Sequence, residues 1–501
     1  MENKITSNLY VGRNKNNSLI NKKMIFRILG ILLFLEGIMF LVCVGVSLCY
    51  READYIYFIY STLIVAAVGS LFLFLGKNAE NTVTRRDGYC IVAFTWLLFS
   101  GFGMLPFYIS GEIPSVADAF FETMSGFTTT GATILDDIEA LPYGMLFWRS
   151  FTQWIGGLGI VFFTIAVLPI FGVGNQVLFS AEATGVTHDK IHPKISMMAK
   201  WLWTVYVILT VVEAILLMCG GMNLFDAVCH SFSTTATGGY STKQDSVAHW
   251  NSPFIEYVIA IFMILSSVNF SLYFMCLKGK FAHLLKDDEF KGFLISIGVV
   301  TLIITFSLIS YNNYGVENAF RKALFQVASV HTSCGFATDD YNTWAPFTWM
   351  LFIYTMVAGG CTGSTAGGIK SMRLLIVLRN IKNEFSRLIH PRAVLSVKIN
   401  SQTVSPSTIS TVMTFVLTFF ICAFVGWVAL MFLGLGLTES FGTVISSLGN
   451  VGPGLGAFGP AFSWSALPDA AKWILSFLML IGRLELFGIL LMFAPSFWKG
   501  R

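Results

Sequence analysis
Ten apolar stretches, at about residues 24–50, 55–76, 88–110, 143–171, 197–219, 251–278, 289–311, 346–378, 407–434 and 470–498, are each long enough to cross about 30 Å of hydrocarbon. A chain with that pattern folds in lipid. There every backbone N–H and C=O must find a partner inside the protein, so each run is expected to be a helix. With 55% hydrophobic and only 12% charged residues among 501, the composition excludes an ordinary soluble domain. The expected fold is an all-α integral membrane protein of ten transmembrane helices.

Charge placement orients it. With the amino terminus cytoplasmic, 25 of the 32 Lys and Arg residues fall in the inside segments 1–27, 77–89, 172–200, 278–291, 370–400 and 499–501. Outside lie only Arg51, Lys243, Arg321, Lys322 and Lys472, and Arg149 and Arg483 fall within spans. The positive-inside rule therefore puts both termini in the cytoplasm, and the net charge of +4 carries no implication of nucleic acid. The first 23 residues are polar and basic, and the apolar run after them is too long for a cleavable signal. Nine cysteines without a CxxC pair or histidines at ligand spacing suggest neither disulfides nor a zinc site.

Four of the five outside loops share a plan, in which a short amphipathic piece leads into small and hydroxyl residues ending at glycine. They are DAFFETMSGFTTTGAT (118–133), DAVCHSFSTTATGGYS (226–241), AFRKALFQVASVHTSCGFAT (319–338) and ESFGTVISSLGNVGPGLG (439–456). Taking Gly131, Gly238, Gly335 and Gly452 as equivalent gives repeat lengths of 107, 97 and 117 residues. Each unit reads as helix, re-entrant pore loop, helix, and four units imply a pseudo-fourfold axis with a central pore. About twelve residues of helix reach roughly 18 Å, halfway through the bilayer. A helix entering from outside then aims its partial negative carboxyl end at the membrane centre, where it favours a cation. Irregular backbone at that depth is tolerated only when it is buried in protein or lines a wet cavity. Carbonyls of Thr129, Thr130, Ala236, Thr237, Ser333, Cys334, Asn450 and Val451 are the candidates to replace an ion's hydration shell.

A second irregularity is AGGCTGSTAGGIKS, residues 358–371, which sets five glycines inside an apolar run. It approaches a phosphate-binding GxxxxGKS loop, but Ile369 separates the second glycine from Lys370, and no soluble strand–loop–helix context surrounds it. Gly359 is 13 residues below Pro346, roughly 20 Å down. Arg483 is 13 residues below Ala470 on a span running the same way, so loop and arginine share a depth. An arginine there costs at least ~2.5 kcal/mol unless it finds partners, and broken backbone offers carbonyls. The expectation is a gate made of Gly359, Gly360, Cys361, Thr362, Gly363, Ser364, Thr365, Ala366, Gly367 and Gly368, tied across the pore by Arg483. A structural pairing of Arg483 away from the pore is the alternative.

The motifs TTTGAT (128–133), FWRSFTQWIGGLGIV (147–161), TATGGYS (235–241), SSLGNVGPGLG (446–456) and the glycine break at 359–368 occur in an order that resembles the Trk/Ktr/HKT superfamily of potassium uptake proteins, TrkH type, over about residues 85–498. The resemblance implies a potassium-selective pore with one selectivity glycine per repeat, here Gly131, Gly238, Gly335 and Gly452. It implies potassium as substrate at filter carbonyls, no covalent cofactor, and no enzymatic activity. It also implies a homodimer in the bacterial inner membrane, with nucleotide bound only by a cytosolic TrkA-like ring as partner. Cys334 departs from the Ser or Thr expected before the third glycine. On this basis the chain divides into a cytoplasmic amino terminus with an extra two-helix domain (1–84) and pore repeats 85–171, 172–280, 281–400 and 401–501, the third carrying the gating loop. A sodium- or proton-coupled symporter of the same fold is the alternative function.

Of the remaining charged residues, Arg149 is expected to snorkel or brace a pore loop. Glu36 and Glu213 read as buried acids, paired or protonated, rather than coupling sites. Glu112, Asp118, Glu122, Asp136, Asp137 and Glu139 form an acidic mouth that either concentrates cations or is simply a solvated loop.

Overall fold
The chain's computed structural model describes residues 20–80, 83–157, 159, 195–279 and 281–499. Six helices in these residues are long and apolar enough to cross a membrane, and two further apolar helix pairs are bent at short breaks. Part of the span expected at 143–171 lies outside the described residues; its first part forms helix Tyr143–Gly157.

The amino-terminal helices Lys22–Tyr50 and Tyr55–Leu75 pack as a hairpin. Their closest approach uses two glycines: a Cβ on Gly30 would lie 2.9 Å from the Gly69 carbonyl, and one on Gly69 3.2 Å from that of Gly30. Small residues at a crossing let two membrane helices gain contact where no hydrophobic force drives them together. The hairpin covers the first repeat through Glu36, fully buried beside Gly103, whose carboxylate oxygens have no hydrogen-bond partner among the described residues.

Four short helices point inward: Val116–Phe127, Leu224–Thr235, Val316–His331 and Leu437–Gly449. Each carries an acid in its first turn, namely Asp118, Asp226, Glu317 and Glu439, where it complements the helix dipole. Ser115 and Asn223 cap the first two with side-chain oxygens. At 12 to 16 residues they are too short to span the bilayer, as the loops' sequences require.

Three of the apolar runs are interrupted. The break at 359–368 was anticipated: Phe347–Ala358 stops before it and Ser371–Ile389 resumes after it. The runs 251–278 and 470–498 were expected to be unbroken and are not. Pro253–Ser266 and Phe270–Leu277 meet at 95°, because the Asn269 side chain caps the second helix and the freed backbone bonds the 359–368 loop instead. Asp469–Arg483 and Phe487–Phe493 meet at 117°, where Glu485 and Leu486 take φ of 52° and 55°. Only tertiary partners make such broken backbone tolerable in a membrane. A two-stranded hairpin, Lys398–Ile399 with Gln402–Thr403, is the one departure from an all-helical plan among the described residues.

Candidate ion pathway and gate
Each inward helix ends in the same backbone figure. Thr129, Thr237, Ser333 and Asn450 take left-handed φ values of 53°, 53°, 55° and 52°. Their N–H groups bond carbonyls three residues back, and the next N–H reaches five back, to Ser125, Ser233, Ser329 and Ser446 at 2.8, 2.8, 2.8 and 2.9 Å. This is the cap that closes a helix by reversing its chain. A β-branched threonine held at positive φ is strained, and its recurrence in two repeats marks a site rather than a turn. Two residues on, Gly131, Gly239, Gly335 and Gly452 are again left-handed, with φ of 83°, 79°, 95° and 100°.

This register corrects the sequence alignment in the second repeat. The equivalent of Gly131, Gly335 and Gly452 is Gly239, which sequence reasoning missed, and Gly238 takes the middle place held elsewhere by Thr130, Cys334 and Val451. The matching carbonyl pair is accordingly Thr237 and Gly238 rather than Ala236 and Thr237. The sequence TGG offered two glycines, and only the cap's hydrogen-bond pattern says which is left-handed.

The four triplets Thr129–Gly131, Thr237–Gly239, Ser333–Gly335 and Asn450–Gly452 close on one another. A Cβ on Gly131 would strike the Gly238 carbonyl, one on Gly239 the Cys334 carbonyl, one on Gly335 the Val451 carbonyl, and one on Gly452 would sit 2.6 Å from that of Thr130. Each repeat thus abuts the next, and the fourth returns to the first. Of the triplet carbonyls, only that of Gly238 accepts a hydrogen bond among the described residues, from Gln153 Nε2 at 2.7 Å. Buried carbonyls normally have partners, so a ring in which only one carbonyl is taken by a donor has the composition of a cation site. Polar side chains hold the ring from behind. Asn450 donates to Thr130 Oγ1 at 3.0 Å and the Met479 carbonyl at 2.9 Å, and Tyr240 N–H donates to Gln153 Oε1 at 3.0 Å. The Cys334 side chain is buried, so its departure from Ser or Thr leaves the carbonyl in place.

Above the ring lies an open vestibule lined by Gly131, Gly239, Gly335 and Gly452 but not Gly238. Arg149, another of its lining residues, is buried; it pairs with Glu122 at 2.9 Å, donates to the Ser241 carbonyl at 3.1 Å and lies over the Tyr240 ring at 4.2 Å. It braces pore loops one and two, as expected. Glu122 is therefore bound into that brace and not part of an acidic mouth. Asp118 pairs with buried Lys472 at 2.5 Å, and Glu139 with Lys243 at 2.9 Å. Lys243 holds the Glu139 carboxyl below the usual carboxylate range.

Below the ring, the 359–368 loop crosses. Thr365 Oγ1 donates to the Thr235 and Ser266 carbonyls, both at 3.1 Å, and Gly367 N–H to Ser333 Oγ at 2.5 Å. A Cβ on Gly367 would strike the Gly449 carbonyl. The loop therefore touches the second, third and fourth repeats directly beneath their triplets. Arg483 donates to the Thr365 carbonyl at 2.8 Å and to the Gly157 carbonyl at 2.9 Å, and also bonds that of Gly156. Loop and first repeat are joined by one guanidinium. Glu485 pairs with Arg373, whose guanidinium stacks 4.0 Å from the Phe415 ring. Lys370, buried at φ 79°, bonds the Ala366 carbonyl. Glu213 accepts from Thr235 Oγ1 at 3.5 Å, behind the second pore helix's end.

The family model described as a cation transport protein, TrkH, matches residues 57–499. The Trk system potassium uptake protein TrkH of Salmonella typhimurium is 38% identical over 484 residues, 95% of this chain and 99% of that one. TrkG of Escherichia coli, also a Trk system potassium uptake protein, is 34% identical over 474 residues, 94% and 97% of the two chains. The crystal structure of the potassium transporter TrkH from Vibrio parahaemolyticus superimposes with a TM-score of 0.86 at 34% identity, covering 95% of this chain and 99% of that one. With a model match over most of its length and relatives aligned nearly end to end, this multi-pass membrane chain belongs to the TrkH family of cation transport proteins.

Proposed function
We propose that the protein is a potassium-selective uptake pore of the cell inner membrane, with both termini cytoplasmic. Ions dehydrate at the carbonyls of Thr129–Gly131, Thr237–Gly239, Ser333–Gly335 and Asn450–Gly452, and the loop 359–368 with Arg483 closes the path beneath them. The observation that carries this reading is the closed ring of carbonyls, of which only that of Gly238 accepts a hydrogen bond among the described residues, since partly negative oxygens in that number compensate the loss of a monovalent ion's water. The gate half of the reading is supported by the loop's contacts with three repeats and by the guanidinium that ties it to the first. The relatives' names as potassium uptake proteins agree with the ion. A cytosolic nucleotide-binding ring sets the gate, and the functional unit is a homodimer in which each subunit keeps its own pore.

The test is cation flux in proteoliposomes holding the purified protein at clamped voltage. Potassium uptake that persists when sodium and the proton gradient are removed supports the pore. Uptake that stops on removing either one would instead identify a coupled symporter of this fold.

A further inference from the structure
Arg483 holds the middle of the loop, but the loop's two ends need their own tie. Thr362 N–H and Met372 N–H both donate to one atom, Glu289 Oε1, at 2.6 and 3.0 Å. Glu289 is the second residue of the helix Asp288–Tyr311 and is buried. One carboxylate oxygen therefore closes the base of a flap running from 362 to 372, with Ser371 N–H to the Gly360 carbonyl at 2.9 Å beside it. Two backbone N–H groups thus converge on one oxygen of a carboxyl removed from water, and losing that acceptor would leave both donors without it.

The residue before it faces the cytoplasmic side. Asp288 N–H donates to Asn400 Oδ1 at 2.8 Å and Asn400 N–H returns a bond to Asp288 Oδ2 at 2.9 Å, while Asn400 Nδ2 reaches Asp287 Oδ2 at 2.7 Å. Arg379 adds a 2.9 Å bond to the same Asp288 oxygen. Asn400 and Ser401, at φ 48° and 65°, form the exposed turn of the Lys398–Thr403 hairpin. From the hairpin turn to the base of the flap the path is thus Asn400, Asp288, Glu289, Thr362. It crosses no gap wider than a hydrogen bond.

We infer that Glu289 is the positioning residue that clamps the base of the gating loop, and that the 398–403 hairpin is its cytoplasmic handle. The inference rests on the loop being the gate. A ligand or partner that displaces the hairpin shifts the terminal turn of helix Asp288–Tyr311, withdraws the shared oxygen and frees the flap, without touching the carbonyl ring. Arg483 and Glu289 then act as two latches on one loop, and only the second is within reach of the cytoplasm.

Four proteins are compared without any cytosolic partner: wild type, Glu289→Ala, Glu289→Gln and Asn400→Gly, with Arg483→Ala as the reference for an open gate. Potassium flux and amide hydrogen exchange of the 362–372 segment are read together. Glu289→Ala is expected to raise flux roughly tenfold or more and to speed exchange at Thr362 and Met372, because both hydrogen bonds to the shared oxygen are lost. Glu289→Gln keeps an acceptor oxygen and is expected to fall between it and wild type. Asn400→Gly, which suits the turn's positive φ but loses the side-chain bonds, is expected to move flux and exchange the same way by a smaller factor. Potassium-over-sodium preference stays at the wild-type value in all of them. If Arg483→Ala raises flux while the Glu289 variants leave both flux and exchange unchanged, the clamp is wrong and the gate reading survives. If Arg483→Ala also leaves flux unchanged, the gate reading falls and the clamp with it. If Glu289→Ala does not assemble in the membrane, Glu289→Gln and Asn400→Gly decide, and wild-type exchange in both overturns the proposal.

Discussion
At the scale of single residues, the left-handed glycines make the sharpest demand. Gly239 carries φ 79° and its Cβ would strike a neighbouring repeat's carbonyl, whereas Gly238 is not left-handed and a Cβ there would meet the Gln153 side chain rather than backbone. Alanine at a left-handed position costs about 1–2 kcal/mol in backbone strain alone, and here the displaced carbonyl belongs to the next repeat. Gly239→Ala is therefore expected to lower potassium-over-sodium selectivity about tenfold, and Gly238→Ala distinctly less, in bi-ionic flux measurements. Gly452→Ser tests the same geometry in the fourth repeat and is also expected to relax selectivity. Equal effects of the two second-repeat variants, or an unchanged ratio for Gly452→Ser, would contradict the register and the filter respectively. Choosing between adjacent glycines was beyond the sequence, because TGG satisfies the motif in either frame. Thr129 and Thr237 were legible as candidate carbonyls, but their left-handed strain was not.

At the scale of elements, the intramembrane loop shows how a break becomes tolerable. Its freed groups bond Ser267, Thr235, Ser333, Glu289 and Arg483, drawn from every repeat except the first, which joins through the Gly156 and Gly157 carbonyls that Arg483 also holds. Shortening the loop between Gly360 and Gly367, or Arg483→Ala, removes part of this closure. Either is expected to raise potassium flux severalfold while leaving selectivity intact, since the carbonyl ring lies above both; lower flux in a well-assembled variant would count against a gate. The glycine cluster and the depth-matched arginine were both readable, because a helix break and a buried charge each need compensation in lipid. The bend at 267–269 was not. Its sequence SSVNF is compatible with a continuous apolar helix, and the helix stops there because the loop's Cys361 and Gly363 offer backbone bonds in exchange. The bend at Glu485 likewise depends on Arg373, 112 positions away.

At the scale of the molecule, the four glycine-containing segments meet in one ring and bury their irregular backbone against each other. The brace of Arg149 and Glu122 joins the first two units beside the vestibule. Breaking a buried pair of this kind by removing one partner costs about 3–5 kcal/mol because the other charge is stranded. Arg149→Leu is accordingly expected to lower the thermal stability of the detergent-solubilised protein, and restoring it by the paired change Glu122→Gln would show that the stranded carboxylate is the cause. A loss of selectivity without a loss of stability would place Arg149 in ion recognition instead.

The sequence by itself determined the medium, the four recurring loop motifs and the place of the glycine break. These follow from hydropathy and from glycines where lipid permits no idle backbone, both of which are local or additive properties of the chain. Only the tertiary structure decided which glycine of the second repeat is left-handed, where two further helices bend, and which buried charges meet. Those outcomes are set by partners distant in the chain, and the competing local conformations differ by less than one such partner contributes.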